Sequence, residues 1–112
     1  MNCGDICLVS FPFTDASATK MRPVLVVSPD DFNRGQDRVV LPISSVPHPD
    51  DPYSLYIPAN SPYFDATGLR QSSAVKWTKP FTVSTLVLQR RIGRLDAKLL
   101  AEVRTKLAAL FA

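Results

Sequence analysis

Hydrophobic positions in this chain fall in short runs separated by turn formers. The densest is Val24-Leu25-Val26-Val27, entered through Lys20-Met21-Arg22-Pro23 and closed by Ser28. A continuous, β-branched apolar run between turn signals predicts a strand over 20–28 that is covered on both faces. Proline fixes φ and donates no hydrogen bond, so Pro23 suits the mouth of such a strand. Arg22 is thereby held on stiff backbone at the rim. Residues 5–13 predict a first strand, and the small polar stretch 14–20 is the loop joining it to an antiparallel neighbour.

The same pattern predicts a third strand over 38–45, with Pro42 marking an edge or a bulge. A short fourth strand covers 54–58, with Leu55 and Ile57 on one side and Tyr56 on the other. Residues 59–73 read as irregular. An extended run covers 74–83, its early part alternating between Val75 and Trp77 on one face and Lys76 and Thr78 on the other. A helical turn at 84–88 and a basic strand at 89–95 follow. Asp96 caps a single long helix over 97–111, whose apolar residues at 99, 100, 103, 107, 110 and 111 form one stripe. The expected fold class is mainly β: a small, curved, antiparallel barrel with a C-terminal α-helix, formed by 1–112 as one domain.

Composition narrows the function classes. Apolar residues make up 46% and charged residues 21%, which excludes general disorder. No apolar run approaches the roughly 20 residues of a membrane span, and 1–5 has no basic-then-apolar export pattern, so the expectation is a cytoplasmic protein with no membrane partner. The net charge of +3 is unevenly spread: nine cations lie between Arg70 and Lys106 against Asp96 and Glu102 alone. That asymmetry fits either a phosphate-attracting face or a solvated helix with rim charges. Cys3 and Cys7, about 13 Å apart if the segment is extended, are too distant for a disulfide. Two cysteines and the single His48 make no zinc site. No metal or cofactor is expected.

Phosphate loops, nucleophile elbows and metal-binding helix motifs are absent from the sequence. His48, flanked by prolines, reads as a surface histidine. What remains is a set of cations and hydroxyls at strand ends: Arg22, Lys20, Ser44, Ser45, Lys76, Thr78 and Lys79. An arginine donates two parallel hydrogen bonds to a phosphate or phosphorane, and a hydroxyl adds a third. That set suits metal-free transfer at a phosphodiester with the RNA 2′-hydroxyl as nucleophile. Trp77, Phe81 and Tyr63 are candidates for base stacking, with core packing the favoured reading for Trp77 and Phe81.

These residues lie within a sequence that resembles the PemK/MazF/Kid family of toxin endoribonucleases. The shared parts are Gly4-Asp5-Ile6, Arg22-Pro23-Val24-Leu25-Val26, Asn33-Arg34, Pro42-Ile43-Ser44-Ser45, Gly68-Leu69 leading to Ser73, and Arg91-Ile92-Gly93-Arg94-Leu95. The resemblance implies an SH3-like barrel of the CcdB/PemK/MazF type. It implies a homodimer that cleaves single-stranded RNA at short sequences without a metal, and so inhibits growth. It also implies a cognate antitoxin with a disordered acidic tail, the joined complex binding DNA. Arg22 and Ser44 fall on the family's catalytic positions; Asp15, Ser17, Lys20, Ser45, Lys76, Thr78, Lys79 and Phe81 are the implied substrate contacts. The sequence also departs from the family. Ser17-Ala18-Thr19-Lys20 replaces a Glu-Gln-Gly pattern, Thr78 stands for an aspartate, and Phe81 stands for an arginine. Asp15 is then one candidate base, the alternative being that Arg22 and Ser44 suffice at a modest rate. The alternative is a non-hydrolytic inhibitor or binding protein on the same fold, gripping a topoisomerase, RNA, antitoxin or a peptide.

Overall fold

A computed structural model describes residues 1–12 and 19–112. The chain runs β1 (Asp5–Pro12), β2 (Thr19–Val26), β3 (Asp37–Ser44), β4 (Leu55–Ile57), α1 (Phe64–Thr67), β5 (Ser73–Val75), β6 (Phe81–Ser84), β7 (Leu88–Arg94) and α2 (Ala97–Leu110). Neighbours in the sheet follow the order β4-β5-β3-β2-β1-β7, and β6 also pairs with β3. Every pairing is antiparallel. The sheet is barrel-like, but β4 and β7, the ends of the path, do not pair among the described residues.

Both faces of β2 are buried from Val24 to Val26, as the continuous apolar run requires. Ile6, Leu25, Leu41, Ile43, Ile57, Val75 and Val103 belong to one core cluster. Cys7, Val9, Val24, Val26, Val40 and Leu88 belong to another. Cross-strand partners share a face, so Ile6 opposite Leu25 and Cys7 opposite Val24 place the two clusters on opposite sides of the β1–β2 pair. Each fully buried Val, Leu or Ile contributes roughly 1.5–3 kcal/mol relative to exposure.

The run 74–83 is not one strand. β5 ends at Val75, β6 begins at Phe81, and a turn between them is closed by the Lys79 amide donating to the Lys76 carbonyl at 3.2 Å. This corrects the reading of Pro42 as well. β3 is a central strand, with β2 on one side and first β6, then β5, on the other. Pro42 sits where the second partner changes, and its carbonyl accepts the Lys76 amide at 2.9 Å. The missing N–H therefore falls at a seam between two ladders.

The segment 59–73, read as irregular, contains α1. Its fit against β7 explains two glycines. A Cβ on Gly93 would lie 2.3 Å from the Thr67 carbonyl oxygen, and one on Gly68 (φ +72°) would lie 2.0 Å from the Ile92 carbonyl oxygen. Helix α2 starts at Asp96, whose carboxylate accepts from the Lys98 and Leu99 amides at 3.0 and 3.4 Å. Val103 is buried, and Leu99, Leu100 and Leu107 pack on the first cluster. The predicted stripe stops there: Leu110 and Phe111 are exposed. Asp5, also buried, fastens the N-terminus. It accepts from the Asn2 amide at 2.7 Å, Arg91 Nε at 3.1 Å and Arg94 Nη1 at 3.3 Å.

Candidate active site

Arg22 lies directly opposite Val9 in the β1–β2 ladder, so its side chain leaves on the face of Val9, Val24 and Val26. The β2–β3 ladder pairs Val24 with Pro42 and goes no further. Alternation along β3 puts Ser44 on the face of Pro42, and the Val24–Pro42 pairing makes that the face of Arg22. Guanidinium and hydroxyl thus leave on one face, but Arg22 is the fourth of the eight residues of β2, with Pro23 inside the strand rather than at its mouth, while Ser44 is the last residue of β3. Both residues are half-buried.

Ser44 has a second task. Its Oγ accepts the Val46 amide at 3.1 Å and lies 3.4 Å from the Val46 carbonyl oxygen. The hydroxyl caps the turn that ends β3, and its own proton is held only by the longer contact.

Lys76 joins the same face through its register with Pro42, but its ammonium is engaged, with Nζ 3.5 Å from Asp51 Oδ2. Asp51 is a hub that sequence reasoning missed. It also accepts the Tyr53 amide at 2.9 Å and the Ser54 hydroxyl at 2.8 Å. Those bonds, the Tyr53 amide first and Lys76 after them, hold its carboxyl below the ordinary carboxylate value. The available signal was Asp51-Pro52-Tyr53-Ser54, an Asp-Pro turn whose acid caps its own backbone. Next to the hub, the Tyr53 ring rests 5.8 Å from that of Trp77 at 52°. Trp77 is buried in the first core cluster, so it packs rather than stacks on a base.

The remaining candidates are spread out. Phe81 sits opposite Val40 and packs on the second cluster, close to the Arg22 face. Lys20 is exposed, two residues before Arg22 and on its face by alternation. Thr78 is half-buried and Lys79 exposed in the β5–β6 turn. Ser45 is separated from Ser44, since it lines a cavity on the reverse of β2 and accepts from Gln71 Nε2 at 3.1 Å through its carbonyl. Asp15 and Ser17 lie outside the described residues. Neither cysteine is a ready nucleophile: burial, with Asp5 adding to it, pushes the Cys7 thiol up to about 11, and burial raises Cys3 as well. Among the described residues no three His, Cys, Asp or Glu side chains converge to hold a metal. No described helix is long and apolar enough to cross a membrane.

A small antiparallel barrel-like sheet with a C-terminal helix is the architecture of a known toxin group. Residues 2–111 match that group, and the chain belongs to the PemK-like, MazF-like toxins of type II toxin–antitoxin systems. Similar solved structures include a MazE–MazF complex from Deinococcus radiodurans, with a TM-score of 0.77 and 22% identity over 99% of this chain and 95% of that one. The Mycobacterium tuberculosis toxin MazF-mt6 gives 0.69 and 23% over 94% and 96%. An endoribonuclease in complex with its cognate antitoxin, from a mycobacterial species, gives 0.71 and 16% over 97% and 90%. A comparison with curated proteins found no match.

Proposed function

We propose that this toxin is a metal-independent endoribonuclease that cleaves single-stranded RNA at short sequences. It acts in the cytoplasm as a homodimer until a cognate antitoxin with a disordered acidic tail blocks it. The observation that supports this reading most is the shared face, by alternation, of Arg22 on β2 and Ser44 at the end of β3. Family membership supports it, as does a similar fold in a protein described as an endoribonuclease.

In the proposed reaction the RNA 2′-oxygen attacks the adjacent phosphorus. The new O–P bond forms as the bond to the 5′-oxygen breaks, leaving a 2′,3′-cyclic phosphate and a 5′-hydroxyl. Arg22 spreads the charge of the phosphorane over two hydrogen bonds, and the Ser44 hydroxyl donates a third. The 2′-hydroxyl gives its proton to a base, for which Asp15 is the candidate, and the 5′-oxygen takes one up from solvent. Lys20 and Lys79 hold flanking phosphates, and Lys76 joins them when Asp51 releases it. Ser17, Thr78 and Phe81 contact the strand.

The test is incubation with labelled single-stranded RNA in excess chelator. Wild type is expected to give cyclic-phosphate ends, and Arg22→Ala to lose on the order of 10²–10³ in rate. No cleavage by wild type, or equal cleavage by the variant, ends this reading. A second reading, a binder without hydrolysis, is favoured by the commitment of Ser44 to its turn and of Lys76 to Asp51. Tight RNA binding with no product, unaffected by Ser44→Ala, selects it.

A further inference from the structure

We infer that a second pocket, on the reverse of the strand carrying Arg22, receives a nucleotide flanking the scissile one; this rests on the ribonuclease reading above. The cavity holds about 380 Å³, within the range of small-ligand sites and enough for a base with its ribose. Leu8 lies opposite Pro23 in one ladder and opposite Arg90 in the other. These three therefore stand side by side on the face turned away from Arg22, and all line the cavity. Arg70, from the segment after α1, closes it.

Charge identifies the occupant. Among the described residues no carboxylate lines this cavity. Arg91 and Arg94, beside Arg90, are both spent on Asp5. Arg90 and Arg70 are exposed and form no ion pair among the described residues. Two uncommitted guanidiniums over an apolar floor combine bidentate phosphate donors with a surface on which a base can stack.

An apolar side chain flanked by carboxylates would satisfy the same chemistry, so position decides for the nucleotide. Met21 and Pro23, on either side of Arg22, both line the cavity, and so does Ser45, which follows Ser44. The β2–β3 pairing stops at Val24 and Pro42. Beyond it, the β3-side edge of β2 has no strand partner among the described residues. A polynucleotide seated at Arg22 reaches the cavity by passing round that edge.

The experiment uses the oligonucleotide that wild type cleaves, remade with 2′-O-methyl sugars so that it binds without reacting. The double variant Arg70→Ala/Arg90→Ala is expected to bind about tenfold or more weakly. Its salt dependence should be shallower by about 1.4 in log–log slope, for two phosphate contacts at about 0.7 each on a single strand. An abasic site at the flanking nucleotide should weaken wild type about tenfold and the double variant hardly at all. If the alanine pair lowers the melting temperature, Arg70→Gln/Arg90→Gln repeats the measurement with side-chain bulk kept. Unchanged affinity and salt slope in a folded double variant overturn the pocket while leaving the cleavage reading intact. Loss of an alternating Glu-Leu peptide with RNA binding retained also overturns it, reassigning the cavity to a peptide. A wild type that neither cleaves nor binds RNA removes both proposals together.

Discussion

Asp51 and Lys76 meet across two separate loops, carboxylate oxygen to ammonium at 3.5 Å, with about a quarter of each side chain exposed. Lys76 takes its place from β5 and Asp51 from the turn before β4, so the pair ties the β3–β4 loop to the strand pair beneath it. The same carboxylate caps the turn that lays Tyr53 against Trp77.

Trp77 is the only tryptophan, which makes it a reporter of this tie. Asp51→Ala is expected to free Tyr53 from the indole and change its emission, while the cooperative unfolding midpoint hardly moves. The pH dependence has a definite sign. The carboxyl sits below its ordinary 3.8 when folded, so the tie is favoured above that value and lost as pH falls through the folded one. Emission should be flat above about pH 5 and change only in stronger acid; a transition near neutrality would contradict the assignment.

Arg22→Lys tests the fork rather than the charge. Lysine keeps the cation but not two parallel donors, so cleavage should remain close to that of Arg22→Ala, on the order of 10² or more below wild type. Recovery of most of the rate by lysine would reduce Arg22 to a point charge.

Ser44 has two roles that one substitution pair separates. Ser44→Thr keeps the hydroxyl and the Val46 cap, and should retain both turn and cleavage. Ser44→Ala loses both, at a stability cost of about 0.5–1.5 kcal/mol. If Ser44→Ala accelerates amide exchange at Val46 yet leaves the cleavage rate unchanged, the hydroxyl is structural only.

Gly93→Ala should be among the most damaging substitutions. Its Cβ would press on the Thr67 carbonyl and come within 2.4 Å of the Ala66 oxygen, both backbone groups that yield only if α1 leaves β7. A loss of about 1–3 kcal/mol or more is expected, read as a shift of the urea midpoint.

Asp5→Ala removes the acceptor shared by Arg91, Arg94 and the Asn2 amide. Both arginines are about half exposed, so water recovers part of their hydration. The cost should fall near 1–3 kcal/mol, short of the 3–5 of a fully buried pair. Denaturant titration at neutral pH measures it.

Much of the fold is written in local pattern. Val24 to Val27 can only be a strand covered twice, and Asp96 before the leucine stripe can only be a cap. What escaped the pattern depends on partners distant in sequence. Pro42 looked like an edge residue because a proline inside a ladder normally is one; that β3 exchanges β6 for β5 at this point is a tertiary fact. The break between Val75 and Phe81 belongs to the same exchange. Helix α1 is a single turn, too short for periodicity to declare. Of the candidate site, the position of Ser44 at the end of β3 was legible, whereas β2 begins earlier than its apolar run and leaves Arg22 within the strand. Ser45 was separable from Ser44 by alternation, since successive residues of a strand face opposite ways. The hold of Asp51 on Lys76 spans two loops and leaves no local signature beyond the turn itself.

Pro42 has one more effect. Arg22 belongs to the broad leaf of β1, β2 and β7, whereas Ser44 sits where β3 has passed to the narrow leaf of β4 and β5. The guanidinium and the hydroxyl are thus carried by two groups of strands that meet where β3 exchanges β6 for β5. The fit of β3 around Pro42 therefore sets how the two side chains face each other.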